Sequence, residues 1–337
     1  MQLVEKHLIQ RNDPRYAAID AACFASKNLY NAALYEIRQA FIHHDMYLNY
    51  HAMDKLMQNH EAYKALPAKV AQHVLLLLEK NWKSFFEALT VYKDDPSKFR
   101  GRPHLPKYKH KTDGRNVLVS TMQAVSRGKR TLQRRIIQPS GLDIQVKTQQ
   151  NPECIAQVRI LPKPGCMVVE VVYEKEAYPT AVDPHLMAGI DLGLNTLVAL
   201  TSNKPGFVPV VVNGRGIKST NQYYNKRRAQ LQKALGQTGS TPRMEKLTNK
   251  RNRRIDHDLH TLSRCVVELL VAEGIGTLVI GKNDGWKQEI NLGSRTNQNF
   301  VQVPHARFIQ MLTYKAEMMG ISVVLTEESY KSQGQFS

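Results

Sequence analysis

The run M-A-G-I-D-L-G-L-N-T-L-V-A-L, Met187 to Leu200, carries one charge. Its apolar segments on either side of G-L-N read as two buried strands and their turn. A carboxylate in such a run is costly to bury unless a cation or hydrogen bonds compensate it. Two readings of Asp191 are open on the motif alone: it awaits a metal ion, or it closes a β-turn before Gly193. The downstream pattern constrains the sheet that this hairpin joins. Val208 to Val212 gives a third strand. Ser219 to Leu235 and Arg243 to Ala272 read as helices joined by a Gly236–Thr241 loop. Thr277 to Ile280 reads as a buried strand, Pro304 to Met319 as a helix and Ile321 to Leu325 as a last strand. Hairpins followed by helices alternating with parallel-type strands predict a mixed α/β sheet.

The first half reads differently. Met1 to Ile9 is a short strand or arm. Ile19, Cys23, Leu29, Ala33 and Ile37 recur at helical spacing between Arg15 and about Tyr50. Lys69 to Tyr92 is a second helix, with Val70, Val74, Leu78, Phe85 and Leu89 on one stripe, and Asp95-Pro96-Ser97 breaks it. Two prolines and a glycine keep F-R-G-R-P-H-L-P-K-Y-K-H-K, Phe99 to Lys111, out of regular structure. From Asn116 to Tyr178, short strands punctuated by Gly and Pro predict a small β-barrel that the N-terminal strand pairs into. Pro179 to Pro184 reads as a linker.

Charge then limits the partners. The 337 residues hold 47 Lys and Arg against 29 Asp and Glu, a net charge of +18. Such an excess points to a polyanion, and nucleic acid leads because no segment is long and apolar enough to span a membrane. No signal-peptide pattern opens the chain, so the expectation is a cytoplasmic, nucleoid-associated protein. The four cysteines form no C-x-x-C pair, so no zinc ribbon is expected.

Basic and aromatic residues cluster in four stretches. Arg102, Lys107, Tyr108 and Lys109 lie in the proline-rich segment. N-Q-Y-Y-N-K-R-R supplies Tyr223, Tyr224, Lys226, Arg227 and Arg228. K-L-T-N-K-R-N-R-R supplies Lys250, Arg251, Arg253 and Arg254, and Trp286-Lys287 adds an indole beside a cation. Cations neutralise phosphates and aromatics stack on unpaired bases. A solvated helix face is the plain alternative for any one stretch; Trp82 reads as core, and the scattered histidines as polar surface.

The ordered series G-I-D-L-G-L-N, N-Q-Y-Y-N-K-R-R, T-L-V-I-G-K-N-D-G-W-K-Q, N-F-V-Q-V-P-H-A-R-F and V-V-L-T-E-E-S-Y resembles the TnpB family, insertion-sequence-encoded RNA-guided nucleases related to type V CRISPR effectors. A-S-K-N-L-Y-N-A-A-L, L-P-A-K-V-A-Q, N-W-K-S-F-F and G-R-P-H-L-P-K-Y-K extend the resemblance through the first half. It implies an α/β chain with a small barrel: a wedge-type β-barrel (residues 1–10 and 100–180), a helical recognition domain inserted in it (11–99), and an RNase H-like RuvC domain (185–337). It implies a guide RNA and double-stranded target DNA with a short flanking motif as partners.

Asp191 matches the family's first catalytic acid. At the place of the second, this chain has Gly281 and then Lys282; T-E-E-S offers Glu327 or Glu328, and Asp284 before Gly285 reads as a turn. In the family a zinc module and a third acid follow, and neither occurs before Ser337. Two Mg²⁺ ions need several converging carboxylates. The expectation is therefore a RuvC domain truncated before its zinc module and last acid, with a degenerate site. Such a chain binds guide RNA, needs neither zinc nor Mg²⁺ to bind DNA, and represses transcription by occupying promoters. The competing readings are an active endonuclease using Mg²⁺ at Asp191 and Glu327 or Glu328, and an inert transposon remnant.

Overall fold

The computed structural model describes residues 1–125, 133–282 and 302–326. They form two compact units, one within Gln2–Lys175 and one from Glu176 onward.

The first unit is built on an antiparallel sheet of order β1-β6-β5-β2. These strands span Gln2–Gln10 (β1), Leu118–Thr121 (β2), Ile155–Lys163 (β5) and Cys166–Glu174 (β6). β6 is apolar at almost every position because it is central and buried on both faces. β1 pairs along it in full, from Gln2↔Glu174 to Gln10↔Cys166. Gly165, at φ 78°, makes the turn between β5 and β6. β3 (Ile136–Ile137) and β4 (Val146–Lys147) form a separate two-stranded ribbon.

The expected barrel does not close among the described residues. β1 and β2 remain the two edges of an open sheet. β2 has only four residues, and two long helices take up the apolar surface that barrel closure would otherwise bury. These are α1 (Tyr16–His44) and α4 (Ala68–Asp94), with α2 (Tyr50–Met57) and α3 (Glu61–Lys64) between them. Ile19, Cys23, Leu29, Ala33 and Ile37 of α1 share one core with Val70, Val74 and Leu78 of α4 and with Val169 and Val171 of β6. Trp82 is fully buried against the rings of Phe41, Tyr47, Phe85 and Phe86. α1 stops at His44, short of Tyr50, because Asp45 turns left-handed (φ 49°) as its C-cap. Asn49 then caps α2, accepting from the Ala52 amide at 3.0 Å.

The second unit is a mixed five-stranded sheet of order β11-β10-β7-β8-β9. β7 (Asp183–Asp191), β8 (Thr196–Ser202) and β9 (Val210–Asn213) form an antiparallel meander. β10 (Ile275–Gly281) runs parallel to β7, and β11 (Ser322–Thr326) parallel to β10. Parallel strands need crossovers. Here these contain α5 (Arg215–Leu235), α6 (Pro242–Ala272) and α7 (His305–Met318). Ala188, Ile190, Leu200, Leu278 and Ile280 pack against Leu259, Leu270, Phe308 and Leu312. On the opposite face Val211 and Val324 are exposed.

The segment read as a linker is docked. The Tyr178 and Thr180 amides donate to the carbonyls of Met318 and Met319 at 2.8 and 3.0 Å. Asp183 already belongs to β7, its amide bonded to the Gly274 carbonyl at 2.8 Å. No described helix is long and apolar enough to cross a membrane.

Candidate functional site

Strand alternation places Asp191. Ala188 and Ile190 point into the core, so Gly189 and Asp191 point to the other face, where Asp191 is exposed. The carboxylate thus avoids the cost of burial. Asp191 pairs with Ala199 of β8, and Ile190 with Ile280 of β10. One step further along β10 lies Gly281, whose partner on β11 is Thr326. A shallow cavity of about 300 Å³ opens here, lined by Gly189, Asp191, Ala199, Thr201, Gly281 and Thr326 among others. Small side chains leave room above the carboxylate.

The turn after Asp191 is held from several sides. A Cβ on Gly193 would stand 2.6 Å from the Thr196 carbonyl oxygen, so glycine is required by close approach. The Gly214 amide donates to the Asn195 carbonyl at 2.7 Å, and Lys218 Nζ to Asn195 Oδ1 at 2.9 Å. Buried His305, at the start of α7, places Nε2 3.2 Å from the Gly193 carbonyl. Sequence reasoning passed over Asn195, Lys218 and His305; the P-H-A-R motif was the available signal for the last.

Asp191 is the one carboxylate lining this cavity among the described residues, and no group of three or more His, Cys, Asp or Glu there could hold a metal. A single carboxylate with waters and phosphate oxygens can seat one Mg²⁺, but the described residues do not make a two-metal site. Glu327, Glu328, Asp284, Trp286 and Lys287 lie outside the described residues.

The basic residues of α5 and α6 divide into two sets. Tyr224 is buried, its hydroxyl 3.2 Å from Thr248 Oγ1. Arg251 donates from Nε to Asn221 Oδ1 at 2.8 Å and from Nη2 to the Gln302 carbonyl at 3.0 Å, with its guanidinium 5.4 Å from the Tyr224 ring centre. Burial pushes the Arg251 pKa down. Tyr224 and Arg251, expected among the nucleic-acid contacts, here join two helices through these bonds, with Arg251 half-buried. Arg227 is partly engaged, with Nη1 2.8 Å from Gln230 Oε1. Tyr223, Lys226, Arg228, Lys250, Arg253 and Arg254 are exposed.

The proline-rich segment lies along α1 in the first unit. Asn31 and Lys109 exchange two hydrogen bonds: Asn31 Nδ2 donates to the Lys109 carbonyl at 2.8 Å, and the Lys109 amide to Asn31 Oδ1 at 2.9 Å. Lys27 Nζ donates to the Lys111 carbonyl at 2.6 Å, and Arg115 forks onto Asp20 at 2.8 and 2.7 Å. This pinning leaves Arg102, Lys107 and Tyr108 exposed, with the Arg38 guanidinium 5.0 Å from the Tyr108 ring centre. Lys109 is half-buried over Tyr30, its pKa lowered by burial.

The exposed cationic and aromatic side chains can neutralise phosphates and stack on bases, while Asp191 places one carboxylate on an open sheet face. Residues 170–287 match the family model OrfB_IS605, described as a probable transposase. That segment holds β7 to β10 and the α5–α6 pair, and the chain resembles the TnpB family. Its fold is similar to that of a chain in the cryo-EM structure of the Cas12f1-sgRNA-target DNA complex, with TM-score 0.56 and 13% identity, over 92% of this chain and 72% of that one. A chain in the cryo-EM structure of a CRISPR-Cas12f ternary complex matches with TM-score 0.37 and 13% identity, over 94% of this chain and 72% of that one, a score too low to speak for a shared fold. No curated protein matches the chain.

Proposed function

We propose that this chain is an RNA-guided DNA-binding protein of the TnpB type that holds its target without cutting it. A guide RNA would select double-stranded DNA by base pairing, with the protein reading a short flanking motif. The fold likeness to a Cas12f1 chain from a complex with sgRNA and target DNA supports this reading, as does the family match over residues 170–287. On this reading the five-stranded sheet is a RuvC-like, RNase H-type sheet, and the first unit combines the wedge and recognition parts.

The absence of cutting rests on one observation. Beside Asp191, where the resemblance implies the second acid, β10 ends in Gly281. Glycine offers no ligand oxygen from a side chain, so where β7 and β10 end side by side they present one carboxylate, whereas a two-metal site needs several that converge. Binding without cleavage acts by occupancy: an R-loop across a promoter excludes RNA polymerase.

The test uses the purified protein with its copurified RNA and a matching DNA duplex in Mg²⁺. The expected result is a retarded, uncut duplex and one discrete copurified RNA. Cutting that disappears in Asp191→Ala would sink the occupancy reading in favour of an endonuclease. Purification without a specific RNA would sink the guided reading altogether.

A further inference from the structure

The first unit contains a basic cleft whose lining shares no residue with the proline-rich segment. It has a volume of about 500 Å³ and is lined by Arg15, Arg134, Ile136, Gln145 and Lys147. Ile136 on β3 pairs with Lys147 on β4; Arg134 lies in the turn that leads into β3, and Gln145 directly precedes β4. The buried Ile137, Ile144 and Val146 point the other way, into the core.

The Arg15 wall and the backbone of the ribbon are held in place. Arg15 is held by Asp13, to which its Nε and Nη2 donate at 2.9 and 2.7 Å, and its Nη1 donates to the Gln145 carbonyl at 3.0 Å. These bonds tie the start of α1 to the ribbon. Arg135 sits at φ 54°, a left-handed conformation unusual for a residue with a Cβ. It is held there by the Thr148 amide, which donates to its carbonyl at 2.9 Å, and by its own Nη1, which donates to the Gln149 carbonyl at 3.0 Å. Strained backbone held by its surroundings points toward a functional site. Glu5 anchors the far end, accepting from Thr148 Oγ1 and Gln150 Nε2 at 2.9 Å each. Asp13 offsets the charge of Arg15, so Arg134 and Lys147 leave the cleft positive, and both are exposed.

From this geometry we infer that the cleft is a phosphodiester-binding site: Arg134 and Lys147 hold backbone phosphate, and Ile136 supports the sugar. The inference rests on the nucleic-acid reading above and adds a site that none of the basic stretches singled out in the sequence supplies. Such a concave basic surface suits contacts to a nucleic-acid backbone, which carry no base identity.

The test measures fluorescence anisotropy of a labelled 20-nucleotide RNA, and of single- and double-stranded DNA of the same sequence, against the full chain over a series of salt concentrations. Each phosphate contact on a single strand contributes about 0.7 to the slope of log affinity against log salt. Arg134→Ala with Lys147→Ala should lower that slope by about 0.7 to 1.4, for one or two phosphates lost. Extrapolated from 1 M, this is a loss of roughly 5- to 25-fold in affinity at 0.1 M salt. The probe that loses most identifies the strand in the cleft. Both side chains are exposed, so the melting temperature should hold, and Lys147→Ala alone should show about half the slope change. If wild type binds and the variants keep its slope and affinity on all three probes, the cleft proposal is overturned while the nucleic-acid reading stands. If wild type binds none of the probes, both fall.

Discussion

Single residues here are decided by what already surrounds them. Asp13 illustrates this: the Arg15 guanidinium donating to it, helped by the Arg15 amide and outweighing the opposing effect of burial, holds its carboxyl at about 2. A carboxyl with a folded pKa below its unfolded value of 3.8 stabilises the fold fully above that value, and the contribution is lost as pH falls toward about 2. Asp13→Asn should therefore be less stable than wild type at pH 5, and the gap should close between pH 4 and 2 in urea midpoints. A gap that stays constant over that range would mean that the pair contributes nothing through ionisation. Sequence reading cannot see such neighbours. Trp82 is followed by a lysine, a pairing that could also face nucleic acid, yet it is fully buried among aromatic rings. Likewise Tyr224 turns inward and Tyr223 outward, though both stand in one motif.

Among elements, the α5–α6 pair shows how much the pattern reveals. Apolar stripes and turn residues mark both helices, since their period follows from burial of one face. The same pattern located the α1 stripe and the apolar strands β7 and β10. It does not reveal which cations serve as fasteners. Arg251→Lys cannot reproduce a fork onto Asn221 and Gln302. It should cost about 2 kcal/mol, the scale of a hydrogen bond to a charged group, in denaturant midpoints. Arg253→Ala with Arg254→Ala should leave stability within about 0.5 kcal/mol and reduce the salt slope of RNA binding instead. The reverse pattern would show that the two sets of arginines had been exchanged. Barrel closure was equally beyond the sequence. Short strands predict a β layer, but whether its edges meet depends on what fills the concave side, and here α1 and α4 do.

For the whole molecule, the charge of +18 sets the expectation. A chain that neutralises six or more phosphates should lose about 10³-fold in nucleic-acid affinity between 50 and 200 mM salt. A flat response would rule out a polyanion partner of that size. Asp191→Ala should leave this slope intact, because a carboxylate on the open sheet face neutralises no phosphate. Composition alone pointed to a polyanion partner, since net charge needs no fold to be counted. The geometry of the Asp191 cavity was not legible, since it depends on strands far apart in the chain: β7, β10 and β11.

Strand β1 carries a consequence for the order of assembly. Its ladder joins Gln2 to Glu174 and Gln10 to Cys166, so its partner is made last within its unit. At ordinary synthesis rates of about 5–20 residues per second, β1 waits roughly 8–30 s on the ribosome before β6 exists. The α1 and α4 helices can form and pack on each other during that delay, whereas their contacts with β6 and the β1–β6 ladder close long loops and come late. Translation speed through residues 11–165 therefore sets how long an unpaired strand stays open to misassociation with other nascent chains.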